Sequence, residues 1–423
     1  MRKIILRDRR QIPPFNEPAR ELSVLAKPLW LWQRDVLAPY TSEEREVESL
    51  TELDDARLET LVYRDNLFFD QPFIDEFIRR AKASGKACQV AFELTDPAIT
   101  EHALYLQRGI RREGNYYVAD LWYYPYGIEP VVRPLVIRTE SREVGFYHVP
   151  THMSNVYGDL VYQLPTKAFL SIEHWMHVLF ANVMFGIFAR GARFEQRLDE
   201  DFWLNLKLLW QGMWERRQVL TTSTMVQVGK NCEIDPTAVI QGPTVIGDNV
   251  TIGAGAVVGN CIIGDNVNIS QGCQLMLSVV GSGSFLPFRA ALFESVLMEN
   301  CIVAQNTCLQ MCVVGRGSFI GAGNTFTDFN LVSGKQLHSH FAGELEETGM
   351  SVLGGAVGHN VRIGSGMIVF PARMIESDVV LVASEGRRVV SRNVYFEDSD
   401  HLKWPTGKKM HPQLYPRSNG YNR

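Results

Sequence analysis

From Val228 to Val258 an aliphatic residue stands at every sixth position: Val228, Ile234, Ile240, Ile246, Ile252 and Val258. The count then settles on a longer period. Ile246, Ile263, Val280, Leu297, Val314 and Leu331 recur at every seventeenth position, and the tripeptides after them read GDN, GDN, GSG, MEN, GRG and VSG. No other feature limits the possible folds as strongly. A helix repeats at 3.6 residues and a strand at 2, so this longer period belongs to neither. It divides into sides of six, six and five, one turn of a triangular coil. Each side sends one aliphatic side chain to the axis, while Gly, Asp and Asn take the corner conformations that a Cβ disfavours. One coil cannot cover its own axis, so the coils must stack.

This is the hexapeptide-repeat pattern of a left-handed parallel β-helix, and it covers residues 225–385. It breaks once. After Leu331 the next matching anchor is Val357, nine positions later than the period allows, and the extra length falls within "SGKQLHSHFAGELEETG" (333–349). A loop extruded from a regular coil is where a solenoid commonly carries a site. This one holds His338 and His340. His359 falls on the corner position that Asp248 and Asp265 occupy elsewhere, which predicts an exposed turn residue.

Glycine usage marks the main boundary. The first glycine is Gly85, only nine of the 34 lie before residue 229, and 23 lie between 229 and 386. Residues 1–165 read as mixed α/β. "KIIL", "TLVY" and "CQVAFE" are β-type runs. Between the last two, Asp70, Pro72, the stripe Phe73, Phe77, Ala81 and then Gly85 spell a capped helix, giving a βαβ unit. "PLVIRTESREVGFYHV" (134–149) reads as two strands around a polar turn. Residues 166–224 form a helical connector, with Ile172, Trp175, Leu179 and Val183, then Phe202, Leu206, Leu209 and Met213, at helical spacing. Four of the eight tryptophans lie in it. Packing on both neighbours is its expected role, and a peripheral contact with a membrane is the less favoured alternative. Residues 386–423 are a C-terminal tail.

A formal net charge of −5 gives no reason to expect nucleic-acid binding. The seven cysteines form no CxxC, so they read as small apolar fillers in a reducing cytoplasm. "VLFANVMFGIFA" (178–189) falls well short of the ~20 residues a transmembrane helix needs.

An α/β half followed by a hexapeptide-repeat half resembles the sugar-1-phosphate nucleotidyltransferases with β-helix domains, the bifunctional uridylyltransferase/acetyltransferase kind above all. The resemblance implies a nucleotidyltransferase-like N-terminal domain that uses Mg and a trimeric β-helix that uses acetyl-CoA or another acyl-CoA. "LVYRDNLFFD" (61–70) resembles the strand ending in the metal-binding aspartate, which makes Asp65 the candidate Mg ligand. "LAKPLWLWQRDVL" (25–37) resembles the segment after the nucleotide loop. The Gly-rich loop itself is absent, and Arg7, Arg9 and Arg10 are the nearby candidates for phosphate. "IGAGNTFTDFN" (320–330) resembles the sugar site, with Asp328 and Asn330 as contacts. The family's catalytic histidine aligns with Gln305, which cannot serve as a general base and is left as a substrate contact. His338 or His340 then becomes the candidate base. "GRRVVSRNV" (386–394) resembles the segment that meets CoA phosphates, through Arg387, Arg388 and Arg392. A zinc site built from His338, His340 and His359 is a weaker alternative, because their spacing does not match the histidine pattern of the γ-class carbonic anhydrases.

Three functions follow as expectations. The first is a CoA-dependent acyltransferase acting on a sugar phosphate or nucleotide sugar as a cytoplasmic homotrimer. The second is a Mg-dependent sugar-1-phosphate nucleotidyltransferase. The third is a non-catalytic relative that binds nucleotide sugar or acts as a scaffold.

Overall fold

The computed structural model describes residues 1–52, 57–147, 160–215, 218–330, 336–403 and 412–418. The chain forms two compact units. One comprises Met1–Ile12 and Glu17–Ala181, the other Pro13–Asn16 and Asn182–Arg423.

The first unit is built on a mixed sheet. In spatial order its strands are Arg133–Val136, Cys88–Glu93, Tyr116–Tyr124, Thr60–Arg64, Arg2–Leu6 and Glu43–Val47. Arg2–Leu6 runs parallel to both neighbours, while Tyr116–Tyr124 is antiparallel to both of its own. The helix Gln71–Ser84 forms as its signals require. The Asp70 carboxylate accepts the Phe73 N–H at 3.0 Å, Phe73, Phe77 and Ala81 are buried, and Gly85 closes the helix at φ 61°. The βαβ unit has one difference: Tyr116–Tyr124 is wedged between its two strands. The segment 134–149 likewise gives two strands, but they do not face each other. Arg133–Val136 joins the main sheet, and Ser141–Tyr147 pairs with Leu160–Pro165. Alternation specifies a strand and its faces; it does not specify the partner.

His102 and His177, two of the three histidines buried in this unit, are held as neutral rings. His102 Nε2 accepts the Gln163 N–H at 2.9 Å. His177 Nδ1 accepts the N–H groups of Glu173 and His174 at 3.2 and 3.1 Å, and its Nε2 lies 2.8 Å from the Tyr105 carbonyl. Burial pushes both imidazoles down to about 4.

The second unit contains three eight-stranded parallel sheets, the sides of a stacked coil consistent with a left-handed β-helix. Val228, Ile246, Ile263, Val280, Leu297 and Val314 pair rung on rung down the first side. At one corner a left-handed residue recurs on every coil, as Asn231, Asn249, Asn266, Gly283, Asn300, Gly317, Asn360 and Asp378. Asn tolerates positive φ better than other side chains, and here the amides also bond along the stack. Asn249 Nδ2 donates to Asn266 Oδ1 at 3.2 Å.

The interruption is larger than the sequence count suggests. Val314 pairs with Val357, Ile320 with Ile363, and Phe326 with Val369. The insertion therefore spans 327–352, almost three times the nine positions that spacing revealed. Leu331, counted as a rung from its spacing, lies outside the described residues, and the coil continues from Phe326 to Leu353. One chance match of spacing hid most of the insertion. Part of it folds as a hairpin of His338–Phe341 and Glu344–Glu347, turned by Ala342 and Gly343 at φ 50° and 89°.

The connector also departs from expectation. Ile172, Trp175, Leu179 and Val183 are buried, but in the helix Phe202–Glu215 the predicted inner stripe of Phe202, Leu206, Leu209 and Met213 is exposed. Among the described residues no helix is long and apolar enough to cross a membrane.

Two outcomes follow. Deleting 327–352 restores the regular spacing of the coil, so the shortened chain should keep a cooperative melt within about 5 °C of the full chain, read by circular dichroism. The buried histidines should make the first unit acid-sensitive. The unfolded state binds protons near pH 6.5 and the folded state only near 4, so stability is present above this window and lost as pH falls through it. Replacing His102 by Gln should remove about 2 kcal/mol of the loss between pH 7 and pH 5, measured by urea midpoints.

Candidate functional site

Each unit holds a cluster around one residue that the sequence singled out, Asp65 in the first and His340 in the second. In the first unit Asp65 follows the strand Thr60–Arg64, beside the C-terminal end of Arg2–Leu6, where parallel sheets commonly bind ligands. It is buried, and both of its oxygens are engaged. Oδ1 accepts the Asp8 N–H at 2.7 Å, while Oδ2 lies 3.1 Å from Arg7 Nε and 3.4 Å from Arg20 Nη1. Burial pushes the carboxyl up to about 6 against the pull of that N–H and the two guanidiniums. A Mg ion needs hard oxygens free of competing cations. These residues do not fit it, and among the described residues no group of three His, Cys, Asp or Glu is arranged to hold a metal ion. The arginines considered for phosphate are also engaged. Arg7 bonds Glu46, Arg9 bonds Glu48, and Arg10 bonds both Asp8 and Glu173.

The second unit holds two neighbouring clefts. A cleft over the last coils is lined by Pro13, Pro14 and Asn16, by His340, Ala342 and Gly343 of the hairpin, and by Met374, Glu376, Asn393, Val394, Tyr395 and Arg417. The insertion brings His340 here. Its Nδ1 is buried and makes no hydrogen bond among the described residues. Asn393 has the complementary defect. Its Oδ1 accepts the Met374 N–H at 3.0 Å, which fixes the amide orientation, and its Nδ2 is buried without an acceptor among the described residues. Buried polar atoms nearly always find partners, so two exceptions lining one cleft are informative.

Glu376 anchors the cleft. Its Oε1 accepts from Asn16 Nδ2 at 2.9 Å and Arg417 Nε at 2.8 Å, and its Oε2 accepts the Phe396 N–H at 2.7 Å. Burial pushes its carboxyl up, opposed by these donors. At the same corner, Asp378 Oδ2 accepts the N–H groups of Leu414 and Tyr415, holding the C-terminal segment in place.

A second, open and polar cleft is lined by Gly386, Arg387, Val389, Val390, Ser391, Arg392, Asn393, Val394 and Asp398. The two clefts share Asn393 and Val394. Two of the arginines considered for CoA therefore adjoin the cleft of His340. Arg387 is steadied by Asp400 Oδ1 at 2.9 Å, and Arg388 is exposed outside both clefts.

The remaining candidates lie elsewhere. His338 Nδ1 is 3.1 Å from the Gln336 carbonyl and its Nε2 is 4.0 Å from Glu347, across the hairpin. Gln305 forms a coil corner, its carbonyl accepting the Gly323 N–H at 3.0 Å. Asp328 and Asn330 open the insertion, and burial raises the Asp328 carboxyl. His359 is not the exposed turn residue that its corner position predicts. It is fully buried between Phe15 and Tyr415, with ring centroids 5.3 and 4.7 Å away, and its Nδ1 accepts the Arg316 N–H at 2.8 Å. Two other segments of the unit cover a corner that spacing alone marked as exposed.

Glu376, Asn393 and Arg417 were not singled out by sequence. Glu376 did leave a signal. It follows the anchor Ile375 in "ESD", at the corner that Gly247, Gly264, Gly281, Gly315 and Gly358 hold on other coils.

A family model described as bacterial transferase hexapeptide (six repeats) matches residues 225–260. No curated protein matches the chain. A crystal structure titled "putative acetyltransferase", from Bacillus cereus, is similar over 34% of this chain and 77% of that one, at 15% identity and a TM-score of 0.17.

The Asp65 geometry predicts a structural role. Replacing Asp65 by Ala should lower stability by about 1–3 kcal/mol, because the Asp8 N–H loses its acceptor and Arg7 and Arg20 lose a buried counter-charge. Thermal scans with excess Mg and with a chelator should show the same loss.

Proposed function

We propose that the protein is an acyltransferase that moves an acyl group from acyl-CoA to a hydroxyl or amine of a sugar phosphate or nucleotide sugar. The observation that carries this reading is a cleft lined by His340 and Asn393, each with a buried side-chain nitrogen that makes no hydrogen bond among the described residues, beside the cleft of Arg387 and Arg392. Acyl-CoA supplies a thioester carbonyl activated for attack. Arg387 and Arg392 suit its phosphates. His340 takes the proton from the attacking hydroxyl or amine as the new acyl bond forms, and returns it to the CoA sulfur as the thioester C–S bond breaks. The Asn393 amide donates toward charge developing on the acyl oxygen. The hexapeptide match supports the class of chemistry.

Association of copies through the β-helix is part of the proposal. Phe285, Ile302 and Phe319 stack as an exposed apolar row on successive rungs. The proposed assembly is a homotrimer, and light scattering would read its mass.

Nucleotidyl transfer is the second reading. It is favoured by the place of Asp65 at the end of a parallel strand, and opposed by the engagement of both its oxygens.

The test is thiol release from acetyl-CoA against a panel of amino- and hydroxyl-bearing sugar phosphates and nucleotide sugars. Replacing His340 by Asn should cut kcat about 10²–10⁴-fold while the melting temperature holds, because the residue sits on a surface hairpin. Replacing Arg392 by Ala should raise KM for acyl-CoA and leave kcat near the starting value. Unchanged turnover in the His340 variant would sink the reading.

A further inference from the structure

The helix Phe202–Glu215 wears its apolar stripe on the outside. Leu208 and Gly212 are buried against the rest of the unit, whereas Phe202, Leu206, Leu209 and Met213 face solvent. Trp203, Trp210 and Trp214 flank that row at 74%, 61% and 81% exposure. At 100° per residue all seven fall within an arc of about 140°. A contiguous patch of seven large apolar side chains exceeds what a monomer's surface ordinarily carries, and such patches mark docking sites.

The chemistry of the arc narrows what covers it. It contains no carboxylate. The charged residue at its rim is Lys207, exposed and without a carboxylate partner among the described residues. The three indole N–H groups make no hydrogen bond within the described residues. A dry helix–helix seam would bury those donors without acceptors. The headgroup layer of a bilayer takes the rings into its apolar side and leaves each N–H to water, ester and phosphate oxygens. Lys207 suits the same layer through its cationic headgroup-facing end. At 14 residues the helix is too short to cross the hydrocarbon core, and its opposite face is already committed to its own unit. It can only lie flat.

We propose that the helix Phe202–Glu215 docks on a lipid bilayer surface, lying in the interface with Trp203, Trp210 and Trp214 at headgroup level. This inference is independent of the acyl-transfer reading. It also reverses the weighting that sequence periodicity suggested, because the stripe expected inside is outside.

The test uses the full chain with vesicles of phosphatidylcholine alone and of phosphatidylcholine mixed with phosphatidylglycerol. The chain should sediment with the vesicles, with a blue shift of tryptophan emission, and binding should be at least as strong on the anionic mixture. Exchanging Leu206 and Trp210 together for Ser should weaken partitioning about tenfold or more with the melting temperature unchanged, since both side chains are exposed. Trp214→Ser alone, at the most exposed position, serves if the double variant is unstable, with an effect of about threefold. Protein left in the supernatant with both vesicle types overturns the proposal. So does undiminished vesicle binding by the variants, or a stripe shown by light scattering to be covered by a second copy whose contact the Ser variants dissolve.

Discussion

Aliphatic side chains stacked along the axis of the coil are what the second unit depends on. Each rung offers one small patch of apolar surface per side, far too little to hold a coil alone. Burial becomes favourable only when the next coil covers it, at about 25 cal/mol per Å². Stability is thus a sum of neighbour contacts, and the only strict demand on sequence is that an aliphatic residue return on every side. Corners must reverse the chain within a very short stretch, which selects Asn and Gly at positive φ. Everything outside axis and corners is free to vary.

That freedom is where the candidate chemistry lies. Between Phe326 and Leu353 the chain leaves the coil and returns in register, and its hairpin carries His340 to a cleft on later coils. The cleft is completed by residues distant in sequence. Asn16 and Arg417 meet on the Glu376 carboxylate, which sits where other coils place glycine. A charged group is costly to bury, and the three donors to Glu376 oppose that cost and fix the cleft's floor together. The imidazole of His340 and the amide of Asn393 each keep a buried nitrogen without a partner among the described residues beside that floor.

The first unit shows the opposite pattern. Its arginines and carboxylates at the strand ends are matched to one another, and Asp65 is enclosed by donors. An aspartate in a familiar segment pointed to a cation, but a segment does not reveal which cations the fold has already set around it. The same limit explains His359. Its corner position follows from spacing, whereas its burial depends on Phe15 and Tyr415, both far from it along the chain.

The coil can be read along the chain: its period, its axis residues, its corners and the fact of an interruption. These are local and repetitive, so a one-dimensional count captures them. The helix Gln71–Ser84 with its cap and stop is legible for the same reason. The length of the insertion was not legible, because Leu331 matched the period by coincidence while strand pairing obeyed the three-dimensional register. The orientation of Phe202–Glu215 was not legible either. Periodicity shows that a helix has an apolar face, and only the tertiary structure shows whether anything packs on it. The cleft of His340, Asn393, Glu376 and Arg417 was decided by tertiary structure alone, since its residues share no period and meet only through long-range hydrogen bonds and ion pairs.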